Sequence, residues 1–203
     1  MIAGVVYGVA LNDREHLAAL GEVLLAPPYG RSPMAPVLYI KPRTCVSAFG
    51  APVPVPQALP ELEAAATLAL LLADDSGTIG AACLALDVCE PHESYYRPAI
   101  RQRCGDGFLP LGAFVPFDSS LAQGEVVTRI DGVIAHRWTL SRLARGIPAL
   151  IADISAIMTL QAGDLLLVGL PGDAPRVRAG QSLTVEMSGL PPLKTHFEME
   201  AAA

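Results

Sequence analysis

Apolar residues along this chain follow two periods, and short alternating or unbroken runs outnumber helical ones. Residues 1–10 are apolar without a basic flank, which predicts a first strand rather than a signal peptide. Over residues 13–24, Leu17, Leu20 and Leu24 recur at helical spacing behind Asp13, a side chain suited to N-capping. Residues 26–36 are rich in proline and cannot be regular helix. Residues 37–40 predict a short buried strand before Lys41 and Pro42. Residues 51–56 place a proline at every second position and predict an extended edge or loop segment. Residues 67–72 lack alternation, as a strand buried on both faces does. Residues 80–86 fit either helix or strand. Asp131 and Gly132, between apolar runs 126–130 and 133–138, signal a hairpin. Residues 139–158 carry helical periodicity interrupted by Gly146 and Pro148. Strands follow over 165–168 and 181–187. Strands dominate and helices are scattered, which predicts a β-rich α+β domain with a mixed, mostly antiparallel sheet. No repeat or linker divides residues 1–203.

Composition narrows the function classes. The 203 residues are 52% apolar and 17% charged, which excludes disorder for most of the length. The formal charge of −6 and the lack of a basic run argue against nucleic acid as a partner. The longest apolar stretch, residues 64–73, falls well short of the roughly 18 residues that a membrane-spanning helix needs. No Cys-x-x-Cys pair occurs among Cys45, Cys83, Cys89 and Cys104, which fits reduced, buried thiols in a cytoplasmic protein.

The polar chemistry concentrates between Asp87 and Gly112. This stretch holds His92, Glu93, Tyr95, Tyr96 and three arginines, Arg97, Arg101 and Arg103. An acidic protein that binds an acidic ligand must gather its arginines locally, and guanidinium groups bind carboxylates bidentately. The alternative use of these arginines is internal ion pairing. Tyr95 and Tyr96 read as core or lid packing.

Four blocks in order carry a family resemblance. They are Val9-Ala10-Leu11-Asn12 with His16 after it; Tyr39-Ile40-Lys41-Pro42; the run from Leu160 through Gly163 and Asp164 to Gly169-Leu170-Pro171; and the run from Gly180 to Glu186. Together they resemble the fumarylacetoacetate hydrolase family, whose fold is a β-sandwich roll, and the match spans essentially the whole chain. Tyr95 to Ile100, followed by Asp106-Gly107-Phe108, narrows the resemblance to the amino-terminal half, or separate small subunit, of the bifunctional isomerase/decarboxylases of homoprotocatechuate breakdown. The resemblance implies decarboxylation of 5-oxopent-3-ene-1,2,5-tricarboxylate and isomerisation of 2-hydroxyhepta-2,4-diene-1,7-dioate. It also implies a small di- or tricarboxylate substrate, and either a homodimer or a hetero-oligomer with a companion subunit. A metal-free structural partner of a catalytic subunit and an acylpyruvate-type hydrolase are the alternatives.

In the family a divalent cation, Mg²⁺ or Mn²⁺, is held by Glu-x-Glu and a later Asp. Aligned on the apolar strand, the two Glu positions fall on Ala65 and Thr67, and the Asp position on Asp87. Only Asp87 keeps its ligand, so the resemblance implies weak or absent metal binding. A competing register uses Glu61 and Glu63, whose i, i+2 spacing puts both on one face of a strand. His16 falls on the family's lid-helix histidine, but its partner glutamate three residues later is Ala19. The family's lysine before Asp106 is replaced by Arg103 or Cys104, and its Gly-Thr-Pro turn by Gly169-Leu170-Pro171. The resulting candidates are His16, His92 and Glu93 for proton transfer; Lys41, Arg97, Arg101 and Arg103 for substrate carboxylates; and Asp87 for metal.

Overall fold

A computed structural model describes residues 3–47, 49–92, 94–95 and 99–201. In chain order the elements begin with β1 (Val6–Ala10), α1 (Arg14–Leu20), β2 (Val37–Lys41), β3 (Val46–Ser47), β4 (Val53–Val55), β5 (Leu62–Leu72) and β6 (Ile79–Cys89). There follow α2 (Ile100–Arg103), β7 (Leu109–Pro110), β8 (Val115–Pro116), β9 (Glu125–Ile130), β10 (Val133–Thr139) and α3 (Ile147–Ser155). The chain closes with β11 (Leu165–Leu167), β12 (Arg176–Val177), β13 (Ser182–Glu186) and β14 (Leu193–Met199). The expected β-rich α+β architecture is present.

The larger sheet runs β2-β1-β11-β5-β6-β8, with β12 also paired to β5. The second runs β10-β9-β13-β14-β4. β5 is long because it is buried on both sides. Its even positions, Leu62 to Leu72, join the main core with Trp138, Val185 and Phe197 of the second sheet. Its odd position Ala69 joins a smaller core with Val6, Cys83, Ala85, Leu165 and Leu167. Burying both faces removes the need for alternation, hence the unbroken apolar run. The Trp138 indole N–H donates 2.9 Å to the Ala66 carbonyl and ties the two sheets together.

Several expectations resolve here. Residues 80–86 are strand, because β6 pairs with β5 antiparallel along nearly all its length. The proline-alternating segment forms the edge strand β4, which among the described residues pairs only β14. The expected helix over 139–158 divides into a 3-10 turn, Leu140–Arg142, and α3. Gly146 is the N-cap of α3 and Pro148 follows at its start, so the helix begins where proline is tolerated. The Asp131-Gly132 hairpin forms with both residues at positive φ. Asp13 caps α1, accepting from the Glu15 amide at 3.1 Å.

The register sets up one polar face. Val6 and Gly8 of β1 pair with Lys41 and Tyr39 of β2. Ala65 of β5 pairs with Asp87 of β6, and Thr67 with Ala85. Paired residues share a face, so Tyr39, Lys41, Ala65, Thr67 and Asp87 all lie on the same side of the larger sheet. β2 and β6 stand four strand steps apart, roughly 19 Å in a flat sheet at 4.7–4.9 Å per step. Their side chains nevertheless touch, so the sheet is strongly curled.

Candidate functional site

Asp87 is the centre of a buried ion cluster. Its side chain is fully enclosed, as is that of Lys41, whose Nζ lies 3.2 Å from Asp87 Oδ1. Lys41 Nζ also donates to the carbonyls of Phe108 at 2.7 Å and Val88 at 3.0 Å. These three acceptors match the three N–H groups of an ammonium. Lys41, expected to reach a substrate carboxylate, is thus placed where it holds Asp87 and the backbone around it. Arg103 Nη1 donates to the same Asp87 oxygen at 3.2 Å. The Tyr39 hydroxyl donates to the other oxygen, Oδ2.

Tyr39 reaches Asp87 by lying across Gly8. A methyl group at Gly8 would come within 2.0 Å of the Tyr39 ring, so glycine is required by the ring's path. The Arg103 guanidinium stacks over the same ring at 5.0 Å from its centroid. Burial opposes the Arg103 charge most strongly of any single influence, but Asp87, together with Tyr39, Cys89 and Tyr95, outweighs it and raises the pKa well above the ordinary value. Burial, and then Asp87, push the Tyr39 hydroxyl well up, so it stays a neutral donor.

Arg103 also borders open space. With Leu38, Tyr39, Tyr95, Ile100 and Cys104 it lines a cavity of ≈ 400 Å³. An adjoining smaller recess adds His92. Tyr95 stands edge-on to two imidazoles, His16 at 5.6 Å and His92 at 5.3 Å between centroids. Burial lowers the pKa of both histidines, with Asp13 and Asp173 opposing it at His16 and Arg103 adding to it at His92. Both are therefore neutral near pH 7 and able to accept a proton. Burial pushes the Tyr95 hydroxyl up to about 12.

The candidates thus separate. His16, His92, Arg103 and Asp87 converge on one region. Arg101 sits on the exposed side of α2, outside the cavity lining. Glu93 and Arg97 lie outside the described residues. The signal for Tyr39 was its place beside Lys41 in one quoted block, but no polarity argument marks a tyrosine in an apolar strand. A second cluster also escaped sequence reading. Arg142 bridges Asp13 at 2.5 Å and Asp173 at 3.1 Å, and His136 Nε2 lies 3.1 Å from Asp173. These residues are far apart in the chain, and nothing in their spacing announces the contact. Glu15, His16, Ala19, Arg142, Gly172 and Asp173 enclose a recess of ≈ 230 Å³. His16 packs directly on Gly172, where a Cβ would meet the ring at 2.2 Å.

The geometry tests the expected metal position. Ala65 faces Asp87 and offers no donor atom. Thr67, the other position, gives its hydroxyl to the Gly169 carbonyl at 2.5 Å. In the competing register, Glu61 turns outward to Arg176 at 2.9 Å and Arg178 at 3.4 Å. Glu63 lies opposite Cys89, one side-chain repeat from Asp87, and burial pushes its carboxyl up, with Arg103 opposing. Among the described residues no three candidate ligands gather at one point. Both oxygens of Asp87 are already engaged, two of their partners being cations. A third positive centre does not fit this donor set.

Comparison with known proteins now supplies the family. Residues 5–198 match the model described as Fumarylacetoacetate (FAA) hydrolase C-terminal. The chain belongs to the fumarylacetoacetate hydrolase family. It is 36% identical over 200 residues to the 4-hydroxyphenylacetate degradation bifunctional isomerase/decarboxylase of Salmonella dublin, covering 94% of this chain and 46% of that relative. The chain therefore spans about half the length of the curated relatives of this type. The aligned half is the carboxy-terminal one, whereas the sequence reading points to the amino-terminal half. Among solved structures, a 5-carboxymethyl-2-hydroxymuconate delta-isomerase from Mycobacterium smegmatis shares the fold, with a TM-score of 0.82, 23% identity, and coverage of 100% of this chain and 81% of the other. A fumarylpyruvate hydrolase from Pseudomonas aeruginosa, in complex with Mn²⁺ and pyruvate, aligns with a TM-score of 0.79 and 17% identity over 97% of this chain and 90% of the other. That neighbour is in complex with Mn²⁺, and among the described residues of this chain no three candidate ligands gather at one point.

Proposed function

We propose that the chain is a subunit of a decarboxylase/isomerase of aromatic catabolism, acting on 5-oxopent-3-ene-1,2,5-tricarboxylate and 2-hydroxyhepta-2,4-diene-1,7-dioate. The observation that carries this is the 36% identity over 94% of the chain to enzymes of that name. The cavity is consistent with it. Arg103 stands in the wall to hold a substrate carboxylate, and His16 and His92 flank Tyr95 as neutral imidazoles. A double-bond shift needs a base that removes a proton from one carbon and an acid that returns one to another. A neutral imidazole does the first and, once protonated, the second. Decarboxylation breaks the bond between C2 and its carboxylate and releases CO₂; the electron pair moves through the C3=C4 double bond onto the 5-oxo oxygen, and the dienolate takes up a proton to give the 2-hydroxydiene. A cation beside that oxygen stabilises the charge, and here that cation is Arg103. The four free cysteines agree with a cytoplasmic setting.

A second reading has its own support. The enclosed, fully paired Asp87 is what a half that stabilises a catalytic companion would retain. Assay of the purified chain alone separates the two. A catalytic subunit consumes the tricarboxylate or shifts the diene absorbance of the dioate. A structural partner does neither until a companion subunit is added.

A further inference from the structure

We propose that the cavity beside Arg103 binds its carboxylate ligand directly on the Arg103 guanidinium, with no bridging divalent metal. This rests on the functional reading above and specifies how its ligand is held. In the family the site is implied to join three carboxylates to a dication, which takes the ligand's oxygens. Here two of the three carboxylate positions are Ala65 and Thr67. The third, Asp87, carries two cations on its own oxygens.

Three features carry the inference. The first is charge. Lys41 and Arg103 against Asp87 leave one positive charge in excess, in a part of the protein with almost no solvent. Glu63 lies one side-chain repeat from Asp87 on the paired strand, and burial raises its carboxyl pKa against the pull of Arg103. The second is access. Asp87 is fully enclosed and absent from the cavity wall, while Arg103 is in it. No carboxylate lines the cavity among the described residues, so an entering ligand meets a guanidinium. The third is space beside a proximate cation. An ion held about 2.1 Å from Asp87 Oδ1 would lie within about 5 Å of Lys41 Nζ, itself 3.2 Å from that oxygen. The ammonium and guanidinium thus occupy the electrostatic role of the dication. His92 Nε2, buried in the neighbouring recess without a partner among the described residues, offers the ligand a second polar contact.

The test is calorimetric titration of the whole chain with 2-oxoglutarate, once in EDTA and once in excess MnCl₂, alongside MnCl₂ alone. The expected dissociation constants for 2-oxoglutarate agree within about twofold, and MnCl₂ alone gives no saturable heat. Arg103→Gln, checked for folding by circular dichroism, weakens binding in EDTA by roughly tenfold or more, the usual worth of a charge-assisted hydrogen bond. Binding that appears only with Mn²⁺, no binding in EDTA, or saturable uptake of Mn²⁺ by the chain alone overturns the proposal. The wild-type comparison needs no variant, so a poorly folding Arg103→Gln leaves it decisive. Binding in EDTA without turnover removes the catalytic reading and keeps this site. Turnover that requires Mn²⁺ does the reverse.

Discussion

At the scale of single residues, Asp87 is held by more partners than any surface carboxylate would need. Its role is best seen by removing only the charge. Asp87→Asn keeps the volume but leaves the Lys41 ammonium, enclosed in the fold, with two backbone carbonyls and no counter-ion. Breaking one side of a buried ion pair costs roughly 3–5 kcal/mol. Urea unfolding of Asp87→Asn should show a loss of that order, with an unchanged m-value. A loss below about 1 kcal/mol, the ordinary range for exposed pairs, would mean that the cluster is solvated. The sequence carried Asp87, Lys41 and Arg103 as separate candidates, because each stands in a recognisable polar context. What it did not carry was their mutual contact. Three residues spread over 62 positions are joined by sheet curvature, which no local pattern encodes.

At the scale of elements, the cluster depends on the pairing of β1 and β2. Gly8 faces Tyr39 in this register, and the ring fills the space a side chain would occupy. Gly8→Ala inserts a methyl 2.0 Å from the ring, so Tyr39 must swing aside and release Asp87 Oδ2. Overpacking of this kind typically costs 1–3 kcal/mol. Gly8→Ala should lower stability by about that much, and the double variant Gly8→Ala with Tyr39→Phe should be less than additive, because both act on one hydrogen bond. Full additivity in denaturant unfolding would sink this account. The elements themselves were largely legible. The hairpin around Asp131 and Gly132, the edge strand among the prolines and the strand of unbroken leucines each follow from a local rule. The ambiguous segment at 80–86 was not legible alone, because alanine and leucine serve both helix and strand. Its long antiparallel partner β5 decides it. The long helical reading over 139–158 failed for a related reason. The periodicity persists through a turn, and only the glycine-proline start fixes where α3 begins.

At the scale of the whole molecule, the chain spans about half the length of the bifunctional isomerase/decarboxylases it matches, and its surface carries apolar residues that a lone domain has little use for. Val133 and Ile134 are 72% and 41% exposed on β10, the edge of the second sheet, and Met34 is 76% exposed in the proline-rich segment before β2. Exposed edge strands with apolar side chains invite pairing with another chain. The net charge of −6 is modest and does not by itself hold copies apart. These features together predict that the purified chain associates, through a second copy or a companion subunit. Light scattering should return a mass above the 21.2 kDa of one chain. Ile134→Lys on the edge strand should shift that mass toward the monomer without altering the circular dichroism spectrum, since position 134 is solvent-facing. A monomer at all concentrations, with or without a companion subunit, would exclude association. The anion cavity, whose lining residues all come from this one chain, would then have to function alone.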